Sequence, residues 1–402
     1  MFRTIVWLTL GAFALGTESF MVAGLLPAMA TDLGTTVPMT GHLVTAFSLA
    51  YALGSPVIAV VSGGVERKRV LLAAMTAFAI GNALAAIAPD YTTLMAARVL
   101  LGLAAGLFMP TAGAYAAAVG GPERRGRAIS YVYVGLTGAI LIGVPLGAVV
   151  GGQFGWRATF YGVAGLASLA ALGIAIFLKP MAGMKAIGFG ERLAVMRRPE
   201  ILSVLLVTVI GLAGAFCVYT YLAPYLGAVV GVHGAWVAPF LFLFGLGGTI
   251  GNLGGGWAAD RFHPKRLMTI VLSVLMATFV ALALAEDLAR PFGAIVAVVA
   301  IAVWGIDGWA FPSIQQARLV WLDPKLAPIS LSLNASATYL GVSIGASLGS
   351  LAIAYGSVGT IGWIAAVCVA FALVLVRRPL RARPRCTAEE AAALAASPSA
   401  PN

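Results

Sequence analysis

Three ionisable side chains stand inside otherwise apolar runs of this 402-residue chain: Glu18, Arg98 and Asp307. A charge at the centre of a bilayer span costs about 2.5–3.5 kcal/mol on insertion scales, so such groups face a bundle interior or a wet cavity and mark proton or solute pathways. A carboxylate in that position can take up a proton from one side of a membrane and release it to the other. Glu18, in Gly16-Thr17-Glu18-Ser19-Phe20, is the candidate. Arg98 must meet a carboxylate, carbonyls or water. Alternatively it reaches outward along its stem, since it lies about five residues, or ~8 Å at 1.5 Å per residue, from the start of its run. Asp307 also has two readings, as a cavity residue or as a cap at a broken helix. Around it, Trp304, Trp309, Gln315 and Gln316 would suit a planar heteroaromatic ligand by stacking and amide hydrogen bonds, or would simply pack and form an interfacial belt. Asn82, Asn252, Asn334 and Tyr339 are expected to hydrogen-bond between helices.

The elements that position these groups follow from composition. Hydrophobic residues make up 61% of the chain and charged residues 10%, with 49 glycines and a mean hydropathy of +0.98. A globular domain carries about 25% charged residues. Apolar runs near the ~20 residues a bilayer span needs fall at 5–27, 43–63, 70–88, 94–118, 128–152 and 157–178, then at 201–223, 236–257, 266–285, 291–314, 328–353 and 358–376. The reading is an all-α polytopic membrane protein of twelve spans. The first run is too long for a signal-peptide core and contains Glu18, so it reads as a retained helix.

Lys and Arg placement tests the count. With the N-terminus in the cytoplasm, 22 of the 25 basic residues fall in inward segments, among them Arg3, 67–69, Arg124, Arg125, Arg127, Lys185, Arg318, Lys325, Arg381, Arg383 and Arg385. Outward loops receive Arg157 and Arg290, and Arg98 stays inside a span. This asymmetry places both termini in the cytoplasm. The net charge of +11 therefore belongs to topology, and no nucleic-acid partner is expected.

The longest break, 179–200, divides the spans six from six, giving an N-terminal bundle over 1–178, a linker, a C-terminal bundle over 201–378 and a disordered, Ala-, Ser- and Pro-rich tail over 379–402. An internal repeat supports the division. Ile142-Gly143-Val144-Pro145-Leu146-Gly147-Ala148-Val149-Val150-Gly151 reads against Leu340-Gly341-Val342-Ser343-Ile344-Gly345-Ala346-Ser347-Leu348-Gly349, 198 residues later. Such halves suggest two pseudo-symmetric six-helix bundles with a substrate site near the midplane between them.

Two loops carry a family resemblance. Gly256-Trp257-Ala258-Ala259-Asp260-Arg261 resembles the Gly-x-x-x-Asp-Arg loop of the major facilitator superfamily, while Ser62-Gly63-Gly64-Val65-Glu66-Arg67-Lys68-Arg69 keeps its basic end but has Gly63 where the Asp would stand. The resemblance implies a gate in which Asp260, Arg261, Arg67 and Lys68 latch the halves in one state; these charges otherwise only fix topology. Arg98-Val99-Leu100-Leu101-Gly102 resembles the superfamily's Arg-x-x-x-Gly element, with Leu101 where many members have Gln, and implies a role for Arg98 in proton coupling. Gly143, Pro145, Gly147 and Gly151 resemble its antiporter motif, departing from it at Val144. Small residues allow close helix approach and Pro bends one helix, so this stretch suits a sealed pivot. With Pro122-Glu123-Arg124-Arg125-Gly126-Arg127-Ala128 and Gly155-Trp156-Arg157-Ala158-Thr159-Phe160, the chain is similar to the twelve-span drug:proton antiporter branch, in the subgroup of arabinose-type, amphenicol and purine efflux pumps.

That resemblance implies a secondary active transporter that exports a small organic solute or drug against protons by alternating access. Tyr219-Thr220-Tyr221-Leu222-Ala223-Pro224 and Trp304-Gly305, with Trp309, Gln315 and Gln316, look most like the purine base and nucleoside exporters. Amphenicol, multidrug and sugar efflux remain as alternatives, with facilitated uptake or a transporter-like receptor further off. The expected substrate contacts are Glu18, Tyr219, Trp304, Trp309, Gln315 and Asn334, with Asp307 an auxiliary proton site. The expected setting is a monomer in a bacterial-type inner membrane, driven by the proton gradient without a cofactor. Enzyme chemistry is not expected, because no P-loop, His-Glu-x-x-His or nucleophile elbow occurs. The scattered Cys217, Cys368 and Cys386 suggest neither disulfide nor metal site.

Overall fold

A computed structural model describes residues 2–183, 188–289 and 291–378. Lys185, Arg290, the side chain of Arg3 and the tail 379–402 with Cys386 lie outside the described residues.

Twelve helices long and apolar enough to cross a membrane account for most of the fold: α1 Thr4–Asp32, α2 Val37–Val61, α3 Arg67–Ala86, α4 Tyr91–Gly121, α5 Glu123–Phe154, α6 Trp156–Phe177, α7 Pro199–Tyr219, α8 Gly234–Arg261, α9 Pro264–Ala285, α10 Phe292–Leu322, α11 Ala327–Tyr355 and α12 Thr360–Arg377. A linker helix, Phe189–Met196, joins the halves. Helix starts are set locally. Asp90 Oδ1 accepts the Thr93 N–H at 2.8 Å and caps α4, and the Thr36 hydroxyl does the same for Met39 at the start of α2. Prolines occupy the first turns of α7, α9 and α11, where their missing N–H is no loss. Gly121, at φ 68°, breaks the path between α4 and α5, a left-handed backbone that favours glycine.

The packing repeats between halves. The pairs α3–α6, α3–α4 and α2–α4 in the first half recur as α9–α12, α9–α10 and α8–α10 in the second. The halves meet mainly through α2 against α11 and α5 against α8, two contacts that the internal repeat makes equivalent. The result is the two-bundle architecture read from the sequence.

The antiporter-type motif has a specific packing partner. Gly143, Gly147 and Gly151 bring α5 onto Thr17, Met21 and Leu25 of α1, so each glycine meets the side chain four residues along. A Cβ at Gly147 would lie 3.2 Å from that of Met21. The turn just before, 139–143, is π-helical; widening there accommodates Pro145, which lacks an N–H and would crowd the carbonyl four residues back. The contact with the other half is adjacent, where Gly245 of α8 lies on the backbone of Ile140 and Leu141.

The two halves are closed at the end away from the basic loops. There Thr45 and Ser347 hydroxyls are 3.2 Å apart, Ser350 donates to the Pro38 carbonyl at 2.9 Å, and His42 Nε2 lies 3.4 Å from the same hydroxyl. Burial changes along the interface helices toward the basic end. In α11, seven of the ten residues 341–350 are buried, whereas over 327–338 only Ser330, Asn334 and Ala337 are, a single stripe that faces its own half. In α5 the buried set likewise thins to Ala128, Val132 and Gly135, and α2 has no buried residue beyond Ser55. The interface therefore parts toward the basic end.

Candidate functional site

Glu18 and Arg98 form an ion pair inside the first half, with both side chains fully buried. Arg98 does not reach outward. Its Nε donates to the Leu43 carbonyl of α2 at 3.1 Å, and its guanidinium lies over the Phe47 ring, 4.5 Å from the centroid. The carboxylate, a carbonyl and an aromatic face together replace the water that a buried guanidinium would lose. Removing either partner would leave the other charge unpaired, the configuration that costs most in an apolar interior.

Phe47 links this pair to the other half. Phe47 lies 6.3 Å from Tyr339 of α11, and Tyr339 stacks on Tyr51 of α2. Two residues beyond Glu18, the Phe20 ring sits between Phe216 (6.0 Å), Tyr219 (5.8 Å) and Trp309 (5.9 Å) of the second half. The Tyr219 hydroxyl donates to the Phe20 carbonyl at 3.3 Å. Behind these rings Tyr219, Phe244 and Trp304 pack on one another, with Trp304 and Phe244 4.7 Å apart. Phe20, Phe216 and Trp309 are half-buried, whereas Tyr219, Phe244 and Trp304 are buried. The rings able to meet a solute are thus Phe20, Phe216 and Trp309, with Tyr219 and Trp304 one layer behind. Gly248 leaves room for Trp309, since a Cβ there would stand 2.8 Å from its ring.

The structure does not bring Gln315 and Asn334 to these rings. Gln315 Nε2 donates to the Val204 carbonyl (3.0 Å) and to Thr208 Oγ1 (2.9 Å), and Thr208 donates to Asn334 Oδ1 (2.8 Å). Both amides are buried between α7, α10 and α11. Asn252 also bonds between helices, to Ser313 at 2.5 Å, whereas Asn82 donates only within its own helix, to Phe78. Asp307 is half-buried on the α10 face that carries Trp304 and Phe311, and its Oδ2 is shut from water without a hydrogen-bond partner among the described residues.

The gate residues are apart. Arg67 donates to the Ala114 carbonyl, and its N–H to the Met181 carbonyl, each at 2.8 Å, while Gly63 packs on Gly183; both hold the first half to the start of the linker. Lys68 is half-buried beside Arg67. Gly256 has open space about it. Asp260 is exposed, with no ion pair among the described residues, and Arg261 lies over Trp257 of its own helix. The latch between halves is not made in this conformation, in keeping with the parted basic end. Arg318, expected in the loop after the tenth span, stands instead within α10 and is buried. Phe20, Phe47 and Phe216 carried no signal beyond being apolar, although Phe20 lies in the same stretch as Glu18.

Twelve helices in two related bundles, parted at one end, with a buried ion pair next to an interface of aromatic rings, suit a membrane transporter. The family model of the Major Facilitator Superfamily matches residues 8–320, and the chain belongs to that family. It is 34% identical over 379 residues to the inner membrane transport protein YdhP of Escherichia coli (strain K12), covering 94% of this chain and 96% of that protein. It is 31% identical over 380 residues to a chloramphenicol resistance protein of Streptomyces lividans, with 93% and 95% covered. Among solved structures, a D-xylose-proton symporter shares the fold with a TM-score of 0.73 at 16% identity, over 94% of this chain and 97% of that one. The chain is thus a multi-pass membrane transporter and not an enzyme.

Proposed function

We propose that this transporter exports a small organic solute bearing a flat ring in exchange for protons, with Glu18 as the proton carrier, Arg98 as its modulator and Asp307 as an auxiliary site. The observation that carries the reading is the sealed Glu18–Arg98 pair two residues from a ring that touches the second half. Protonating Glu18 removes the charge that Arg98 neutralises, which leaves the guanidinium to the Leu43 carbonyl and the Phe47 ring. A shift of Phe47 then acts on Tyr339, and hence on the α2–α11 contact that holds the far end closed. The basic residues favour the cytoplasm for the parted end; in this reading both termini are cytoplasmic, and the chain works in the bacterial inner membrane as a monomer without a cofactor. Solute enters from the cytoplasm and meets Phe20, Phe216 and Trp309, with Tyr219 and Trp304 supporting them. The division into bundles 1–178 and 201–378 joined by 179–200 supplies the two moving bodies.

A purine base, nucleoside or analogue fits these rings. An amphenicol is the second reading, favoured by the Streptomyces lividans relative. The test is flux in proteoliposomes with an imposed proton gradient, using labelled hypoxanthine, chloramphenicol and arabinose with the wild type and Glu18→Gln. The wild type is expected to move one of the ring-bearing solutes up its own concentration gradient, driven by protons moving down theirs in the opposite direction; Glu18→Gln loses uphill flux but keeps solute exchange. Undiminished gradient-driven transport by Glu18→Gln would sink the assignment.

A further inference from the structure

The second half contains a buried cation that the transport reading does not use. Arg318 is 7% exposed, four residues before the end of α10. Its NH1 donates to Gln315 Oε1 at 2.6 Å, and it has no carboxylate within ion-pair reach among the described residues. A guanidinium has five N–H donors. The others make no hydrogen bond, yet, unlike the terminal nitrogens of Arg98, they are not sealed from the surface. The nearest acidic residue along the chain, Asp323, is already paired with Arg198 at 3.1 Å and accepts the Lys325 and Leu326 N–H groups.

The surroundings hold this cation in place. Gln315 spends its amide donors on Val204 and Thr208 of α7, and Thr208 is tied to Asn334 of α11, so the carbonyl end of Gln315 is fixed toward Arg318. One turn nearer the basic end than Gln315 on α10 comes Arg318; one turn nearer the same end than Asn334 on α11 comes Ser330. Ser330 is 1% exposed, and its hydroxyl has no hydrogen-bond partner among the described residues. Arg318 and Ser330 thus each stand one turn toward the basic end from Gln315 and Asn334, the two residues that Thr208 ties together across α10, α7 and α11. A buried hydroxyl without a partner is costly, and the open guanidinium donors leave an oxyanion a route to both groups.

We propose that Arg318 and Ser330, held by Gln315, form a binding site for a single anionic group, a carboxylate or a phosphate, at the basic end of the second half. Planar guanidinium geometry suits either oxyanion by a two-pronged contact. The group belongs to a soluble anion or to a lipid headgroup, and the two sources are separable. The reading is independent of Glu18 and of transport direction, and is tested without a gradient.

The experiment measures thermal unfolding of the full chain in phosphatidylcholine nanodiscs, titrated with sodium phosphate or sodium acetate against sodium chloride at matched ionic strength. A second set uses nanodiscs containing phosphatidylglycerol and no added anion. The wild type is expected to gain a saturable rise in midpoint, from phosphate or acetate if the source is soluble and from phosphatidylglycerol if it is lipid. Arg318→Gln loses that rise, Arg318→Lys keeps a weaker one, and Ser330→Ala raises half-saturation roughly five-fold, as expected for one lost hydrogen bond. If Arg318→Gln fails to fold, the Lys and Ser330→Ala variants decide. No rise above chloride with any probe, or responses in the variants equal to the wild type, overturns the proposal.

Discussion

Tyr51 of α2 and Tyr339 of α11 stack across the boundary between the two halves, with ring centroids 3.6 Å apart and planes 20° from parallel. Tyr339 also lies beside Phe47, which carries the Arg98 guanidinium on its face. A continuous set of contacts therefore runs from Glu18 in α1, through α4 and α2, to the opposite half.

Removing the Tyr339 ring should interrupt that path. Such aromatic pairs contribute about 0.5–1.5 kcal/mol, so Tyr339→Ala is expected to slow gradient-driven flux by roughly two- to ten-fold, and Tyr339→Phe to stay near the wild type. Initial rates in proteoliposomes decide; an alanine variant as fast as the wild type would remove Tyr339 from the coupling path.

The closed far end can be trapped chemically. Thr45 and Ser347 hydroxyls are 3.2 Å apart, close to the geometry a disulfide needs. In a background with the three native cysteines replaced, Thr45→Cys with Ser347→Cys should cross-link under mild oxidant, stop transport, and recover with reductant. Full transport in the oxidised, cross-linked protein would show that this interface does not open during the cycle.

The buried ion pair predicts an asymmetric mutational pattern. Breaking a buried pair by removing one partner destabilises by about 3–5 kcal/mol, whereas replacing both with apolar groups is often neutral. Arg98→Leu should therefore lower the thermal midpoint sharply, and adding Glu18→Leu should restore most of it without restoring gradient-driven flux. A double variant no more stable than Arg98→Leu alone would argue against the pairing.

The fold was largely legible because membrane helices announce themselves by composition: the twelve apolar runs and the repeat of the 142–151 segment at 340–349 needed no tertiary information. The partner of Glu18 was legible only as a requirement, since Arg98 lies 80 residues away and a buried or an outward-reaching arginine have the same local sequence. Arg318 was misplaced because a cation near a run boundary looks like a loop residue; its i, i+3 spacing from Gln315 was the available clue. Gln315 and Asn334 looked like ligand-binding amides, but side-chain hydrogen bonds to Thr208 are set by helix rotation, which apolar periodicity does not resolve in helices that are hydrophobic all round. The glycines of the 143–151 motif were visible, yet their partner, the 17–25 ridge of α1, emerges only from the packed pair.

Phe20 is the single ring of the first half within the aromatic cluster; its other members, Phe216, Tyr219, Phe244, Phe279, Trp304 and Trp309, all come from the second. The buried ion pair belongs wholly to the first half. On the proposed function, in which these rings meet the solute, sequence drift among the second-half rings can reshape what is recognised while leaving the charged pair intact. A lineage built this way can diversify its cargo without having to reinvent its engine.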